Sequence, residues 1–184
     1  MPFKEALFYK ETWIMFFLFL FSIFAGYFMW FTFKTYGSTV GGYSDYSLTV
    51  VGMCGSLSNS VSRLVYPHVQ NSIGVRLTVT LISVTTAIAA LLTPLCIKSI
   101  VTFGIVICVM TFNLGGMFSN SPALSAMIFG PVVGGQIYSV VYSAMGFSCL
   151  SSYFLQVNLG GIFTEQDIYL ISVIPCCLAV VLEY

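Results

Sequence analysis

Long apolar runs alternate with short polar breaks along this chain, and the runs set the first reading. Residues 12–35 form a Phe-dense stretch with Trp13 and Trp30 towards its ends, where interfacial anchors lie. A spanning helix needs about 20 mainly apolar residues, because its backbone must satisfy itself inside hydrocarbon. On that measure the pattern predicts six transmembrane helices, at about 12–35, 45–65, 73–93, 98–118, 132–157 and 166–182. They make one all-α membrane domain over residues 1–184.

The breaks carry turn chemistry. Residues 36–44 are glycine-rich, and Ser44 or Asp45 suits a helix cap. Pro67 and His68 predict a turn, and Pro94 is the only firm divider between the third and fourth helices, with Lys98 in their connection. The stretch 119–131, with two prolines, predicts a longer connection. Residues 158–166 predict a Gly-Gly loop, after which Thr164 and Asp167 fit a capping box.

Composition sharpens the picture. The 184 residues are 58% hydrophobic and 7% charged, whereas a soluble domain is about a quarter charged. Six basic and six acidic residues leave no net charge, which removes the basic footprint that nucleic acid requires. Lys4, Lys10, Arg63 and Arg76 fall on one side of the predicted membrane, and Lys34 and Lys98 on the other. That bias favours a polytopic protein with both termini in the cytoplasm, or in the matrix if the membrane is the mitochondrial inner one.

Candidate chemistry is sparse. Cys54, Cys96, Cys108, Cys149, Cys176 and Cys177 include no CxxC and read as buried thiols, and His68 is the only histidine. No catalytic set, phosphate-binding glycine loop, cofactor or metal site is expected. On the second helix Gly52, Ser56 and Ser60 form one i, i+4 row, and Gly55, Asn59 and Arg63 another. On the fifth, Gly135, Ser139 and Ser143 follow Gly130 and Gly134. Small residues at this spacing let helices approach closely in lipid, either within the bundle or against a partner chain. Arg63 is expected near the membrane boundary, leaving no charged residue at any helix centre. That argues against proton-coupled or organic-anion transport. A neutral solute held by groups such as Asn113, Gln136, Tyr138 and Tyr142 stays open.

Three segments carry a family resemblance. Residues 3–30, FKEALFYKETWIMFFLFLFSIFAGYFMW, resemble the opening of the C-terminal half of a major facilitator superfamily transporter, most like the oxalate/formate and monocarboxylate type. Residues 55–76, GSLSNSVSRLVYPHVQNSIGVR, resemble that family's signature between its eighth and ninth helices: Asn59, Arg63 and Gly74 match. Ser62 and Pro67 stand for glycines there, Asn71 for an Asp, and Val75 at a basic position with Arg76 next to it. Residues 121–148 are similar to the tenth-to-eleventh helix region, with Phe129, Gly130 and Gly135 in place.

The resemblance implies half of a twelve-helix fold and gate or substrate roles around Asn59, Arg63, Asn71, Gly74, Arg76, Gln136, Tyr138 and Tyr142. The Asp-to-Asn change implies a weakened gate latch. The leading functional expectation is a facilitator-derived half-transporter serving as a structural or accessory subunit of a larger membrane complex without transport activity. The alternatives are a small-solute transporter assembled from two half-chains and a piece of an ordinary twelve-helix transporter. The partners expected are the lipid bilayer and other membrane protein subunits or a second half-chain, with no nucleic acid.

Overall fold

The computed structural model describes residues 2–159, 167 and 171–182. The described residues are helical almost throughout: α1 (Phe3–Leu7), α2 (Lys10–Thr39), α3 (Asp45–Ile73), α4 (Val75–Cys96), α5 (Ile100–Phe129), α6 (Pro131–Leu159) and α7 (Val173–Leu182). Four helices, α2, α4, α5 and α6, are long and apolar enough to cross a membrane. α3 is as long as α6, but its Ser and Asn rows dilute its hydropathy, so it is not among the four. Of the predicted last helix, Asp167 and residues 171–182 are described, the last ten of them as α7. The predicted loop at 158–166 and the Thr164 cap lie outside the described residues, apart from Asn158 and Leu159, which are still in α6.

Two predicted breaks are not breaks. α3 runs through Pro67 and His68 to Ile73, and α5 runs through Pro122 to Phe129. Proline removes one backbone donor and crowds the preceding turn, but packed neighbours and hydroxyl side chains let a helix continue past it. Beside Pro122, the Ser121 hydroxyl donates to the Met117 carbonyl at 2.7 Å, and the Ser125 hydroxyl to that of Ser121 at 3.1 Å. Single glycines make the true junctions. Gly74 (φ 86°, ψ 159°) joins α3 to α4, and Gly130 (φ 80°, ψ 165°) joins α5 to α6. That region of backbone space is essentially reserved for glycine. At the start of α3 the cap is Ser44, which accepts from the Ser47 amide at 3.3 Å.

α2 is the central post, packing against α5, α6 and α7, while α3 packs mainly on α5, and α4 on α5 and α7. Two apolar cores stack along α2. One gathers Phe28, Tyr36, Leu48, Phe103 and Ile107; the other gathers Phe19, Ile23, Tyr66, Ile82, Met117 and Val141. Polar ties cross between helices. Ser22 and Ser83 hydroxyls meet at 3.0 Å, and Ser148 donates to the Leu20 carbonyl at 2.8 Å. Tyr66 donates to the Asn113 carbonyl oxygen at 2.7 Å, and the Asn113 amide donates to Thr85 and Thr86 at 2.9 and 3.0 Å, joining α3, α4 and α5.

Candidate functional site

α3 presents three stripes at helical spacing. Leu48, Val51, Gly55, Ser62 and Tyr66 are buried in the bundle. A Cβ on Gly55 would fit only tightly, 3.2 Å from the Trp30 ring and in contact with Thr111 and Ile107. Gly115 and Gly116 of α5 answer it: a Cβ on Gly115 would overlap the Ser62 hydroxyl and the Asn59 carbonyl, and one on Gly116 the Tyr66 ring. The α3–α5 seam is therefore a small-residue contact, the arrangement favoured where apolar solvent supplies no force between helices. Cross-helix hydrogen bonds reinforce it, from Ser58 to the Cys108 carbonyl at 2.8 Å and from the Asn59 amide to the Thr111 carbonyl at 2.9 Å.

The second stripe carries Ser56, Asn59, Ser60 and Arg63 and borders a cavity of about 320 Å³, walled otherwise by Tyr27 and Trp30 of α2 and Thr111, Leu114 and Phe118 of α5. The Arg63 guanidinium lies 5.3 Å from the Phe118 ring centroid, in cation–π contact, and forms no ion pair with any described residue. Aromatic contacts extend the wall: Phe118 packs on Tyr142 at 5.8 Å, Tyr142 on Tyr138 at 5.6 Å, and Phe118 on Tyr27 at 6.4 Å. Asn59, Arg63, Tyr138 and Tyr142 thus come together from α3 and α6, through Phe118.

Arg63 is not at a helix end. The expected boundary position rested on a helix closing near residue 65. Because α3 continues to Ile73, Arg63 stands ten residues, about 15 Å, inside its nearer end and about 27 Å from Asp45. Phe118 lies eleven residues, about 17 Å, inside the end of α5. The expectation that no charge occupies the interior of a long helix is corrected accordingly. Trp30 covers Gly55 and lines the cavity.

The remaining expected residues lie elsewhere. Asn71, Gly74 and Arg76 gather at the α3–α4 junction, with Asn71 eight residues, about 12 Å along the helix, from Arg63. Gly74 acts there as the backbone joint, and Arg76 shares a shallow cleft with Glu11. Gln136 is exposed on α6, about 200° around the helix from Tyr138 and so off the cavity.

The small-residue rows divide as well. Gly134 packs so closely on α5 that a Cβ would stand 2.6 Å from the Ser125 carbonyl oxygen. Gly135 faces open space, and Ser139 and Ser143 are exposed beside it, each hydroxyl bonded to its own helix. Gly52 lies against Phe33, whereas Ser56 and Ser60 are exposed on the cavity rim, each donating to the carbonyl four residues earlier.

Nothing in the sequence singles out Phe118 or Tyr27. Seventeen Phe and eleven Tyr leave no compositional signal that marks these two. Position relative to Arg63, which only packing supplies, is what distinguishes them. Comparison with family models and with curated proteins finds no match to this chain.

Proposed function

We propose that this chain is an integral membrane unit of the facilitator type whose polar face forms one wall of a path for a small organic anion. A second membrane-embedded domain, in this or another polypeptide, completes that path. The observation that carries the reading is Arg63: a cation with no ion pair among the described residues, deep along a helix, in a cavity edged by hydroxyl, amide and aromatic groups. A hydrocarbon core about 30 Å thick, centred on α5, one of the four helices apolar enough to cross a membrane, includes Phe118 about 5 Å from its middle and Arg63 beside it. An ionisable group at such depth is costly, so it implies a role and a counter-charge. Phe118 offsets part of that cost while leaving the guanidinium donors free for a carboxylate, which Arg binds in a fork.

The helix arrangement supports the facilitator reading. α2 and α5 each pack against several helices, α3 and α6 carry exposed polar or small-residue rows, and α4 and α7 pack on each other and on α5 and α2 respectively. The cation at Arg63 removes one of the three grounds for a purely accessory role, the uncharged helix centres, and leaves the other two, the half-length fold and the Asp-to-Asn change at Asn71.

The test is binding and flux. Purified protein is titrated with formate, oxalate, lactate and neutral analogues by thermal shift, then reconstituted for uptake. Carboxylates raise the melting temperature and the neutral analogues do not. Arg63→Gln removes the shift, weakening binding by roughly tenfold or more.

A second reading, the accessory subunit, is favoured by the exposed row Gly135, Ser139 and Ser143, which suits close docking of a partner helix. Fixed co-purifying membrane proteins together with no carboxylate response would select it.

A further inference from the structure

The third stripe of α3 borders a different feature. On the far side of the α3–α5 seam from the Arg63 cavity runs a groove of about 710 Å³, almost wholly apolar. Val50 and Cys54 of α3 form one bank, and Ile105, Val109 and Phe112 of α5 the other. Its floor is open because Gly104 contributes no side chain, a Cβ there just touching Val51 at 3.4 Å. The groove begins beside Tyr46 and Ser47, next to Asp45, which forms an ion pair with Lys34 at 2.9 Å. These groups and Lys98 mark the polar end of the bundle.

From Ile100 to Phe112 the groove follows twelve residues of α5, about 18 Å. One leaflet of a bilayer is about 15 Å of hydrocarbon. The groove therefore starts where headgroups lie and stops near the middle of the membrane. Lys98, exposed, lies in the turn two residues ahead of Ile100, the first groove residue of α5. A cation there complements a phosphate, and the apolar banks complement its chain.

We propose that the α3–α5 groove holds one acyl chain of an anionic phospholipid, with the headgroup drawn to Lys98. A second membrane-crossing helix would run well past it, because the groove's lining on α5 ends at Phe112, after about one leaflet's depth. A neutral lipid would fit the banks but gain nothing at the mouth. The lipid also braces the seam from outside, at the level where Ser58 and Cys108 are bonded.

Native mass spectrometry of the full chain in mild detergent tests this, using phosphatidylglycerol and phosphatidylcholine of equal chain length. One phosphatidylglycerol per chain is expected to survive activation, in preference to phosphatidylcholine. Lys98→Gln lowers that preference by about fivefold, the effect of one basic residue near anionic lipid. Ile105→Trp and, separately, Val109→Trp fill the groove from exposed positions and lower retention of both lipids, with folding checked by size and melting temperature.

Three results would each overturn the proposal: no retained lipid on the unmodified chain, a preference unchanged by Lys98→Gln, or retention unchanged in both Trp variants. None of these depends on anion binding at Arg63.

Discussion

A glycine's surroundings, more than its spacing, decide what it does in this bundle. Gly115 and Gly135 both sit in small-residue stretches of long helices, yet a Cβ on Gly115 would overlap Ser62 and Asn59 while one on Gly135 meets nothing within 4 Å. Gly115→Ala is therefore expected to destabilise the protein by about 1–3 kcal/mol, the range for overpacking a tight contact. Gly135→Ala should leave stability unchanged or raise it by up to about 1 kcal/mol through helix propensity. Thermal unfolding of the two variants in one detergent checks the contrast. Buried amides divide in the same way. Asn113 satisfies Tyr66, Thr85 and Thr86, whereas both polar atoms of the fully buried Asn120 have no hydrogen-bond partner among the described residues. Leaving a buried polar group unpaired costs about 1–3 kcal/mol, so Asn120→Leu should raise the melting temperature and Asn113→Leu, which strands the Tyr66 hydroxyl, should lower it. A lowered melting temperature for Asn120→Leu would mean that this amide has a partner in the membrane. At this scale the sequence speaks through residue type alone. It marks Asn59, Arg63 and the glycines, but Phe118 is one aromatic among many until its ring is found beneath Arg63.

Helix boundaries show why element ends are the less legible part. Prolines at 67 and 122 read as stops because a proline cannot donate to the carbonyl four residues back. Both instead lie inside continuing helices, and the carbonyls they leave without that donor belong to Arg63 and Phe118, the two residues in cation–π contact. The interruptions in backbone bonding thus fall at the candidate site. The actual stops, Gly74 and Gly130, stand out in the sequence for other reasons: one for its place in a family signature, the other as the start of a packing row. Their common backbone conformation, with ψ near 160°, follows from neither pattern. Gly74→Ala and Gly130→Ala are each expected to cost about 1–3 kcal/mol, because a side chain is strained in that region whatever space surrounds it. Among the described residues beyond its chain neighbours, nothing lies within 4 Å of the Cβ position at either glycine, so a loss of stability in both variants isolates the backbone contribution from packing. Denaturation midpoints matching the unmodified chain would show that the junctions relax into another turn.

Across the whole molecule, the coarse statement is carried by composition: a chain 7% charged and 58% hydrophobic folds into helices long and apolar enough to cross a membrane. What composition does not carry is the difference between the sides of the bundle. α3 turns apolar residues to the acyl-sized groove on one flank and Ser56, Asn59, Ser60 and Arg63 to the cavity on the other. On α6 the exposed Gly135, Ser139 and Ser143 lie clear of the bundle, and Tyr142 joins the cavity's aromatic wall. Two flanks of unlike polarity are costly if both face lipid, since a cation within hydrocarbon costs several kcal/mol unless it is paired or hydrated. The polar flank is therefore expected to meet protein or water, and the groove flank lipid. Photo-crosslinking from p-benzoylphenylalanine placed at Ser60, Ser139 or Ile105 in native membranes separates the two. Ser60 and Ser139 should give discrete protein adducts, and Ile105 should give lipid adducts only. Protein adducts of equal yield from all three positions would mean that the bundle is surrounded, and that the polarity of its flanks does not select the partner.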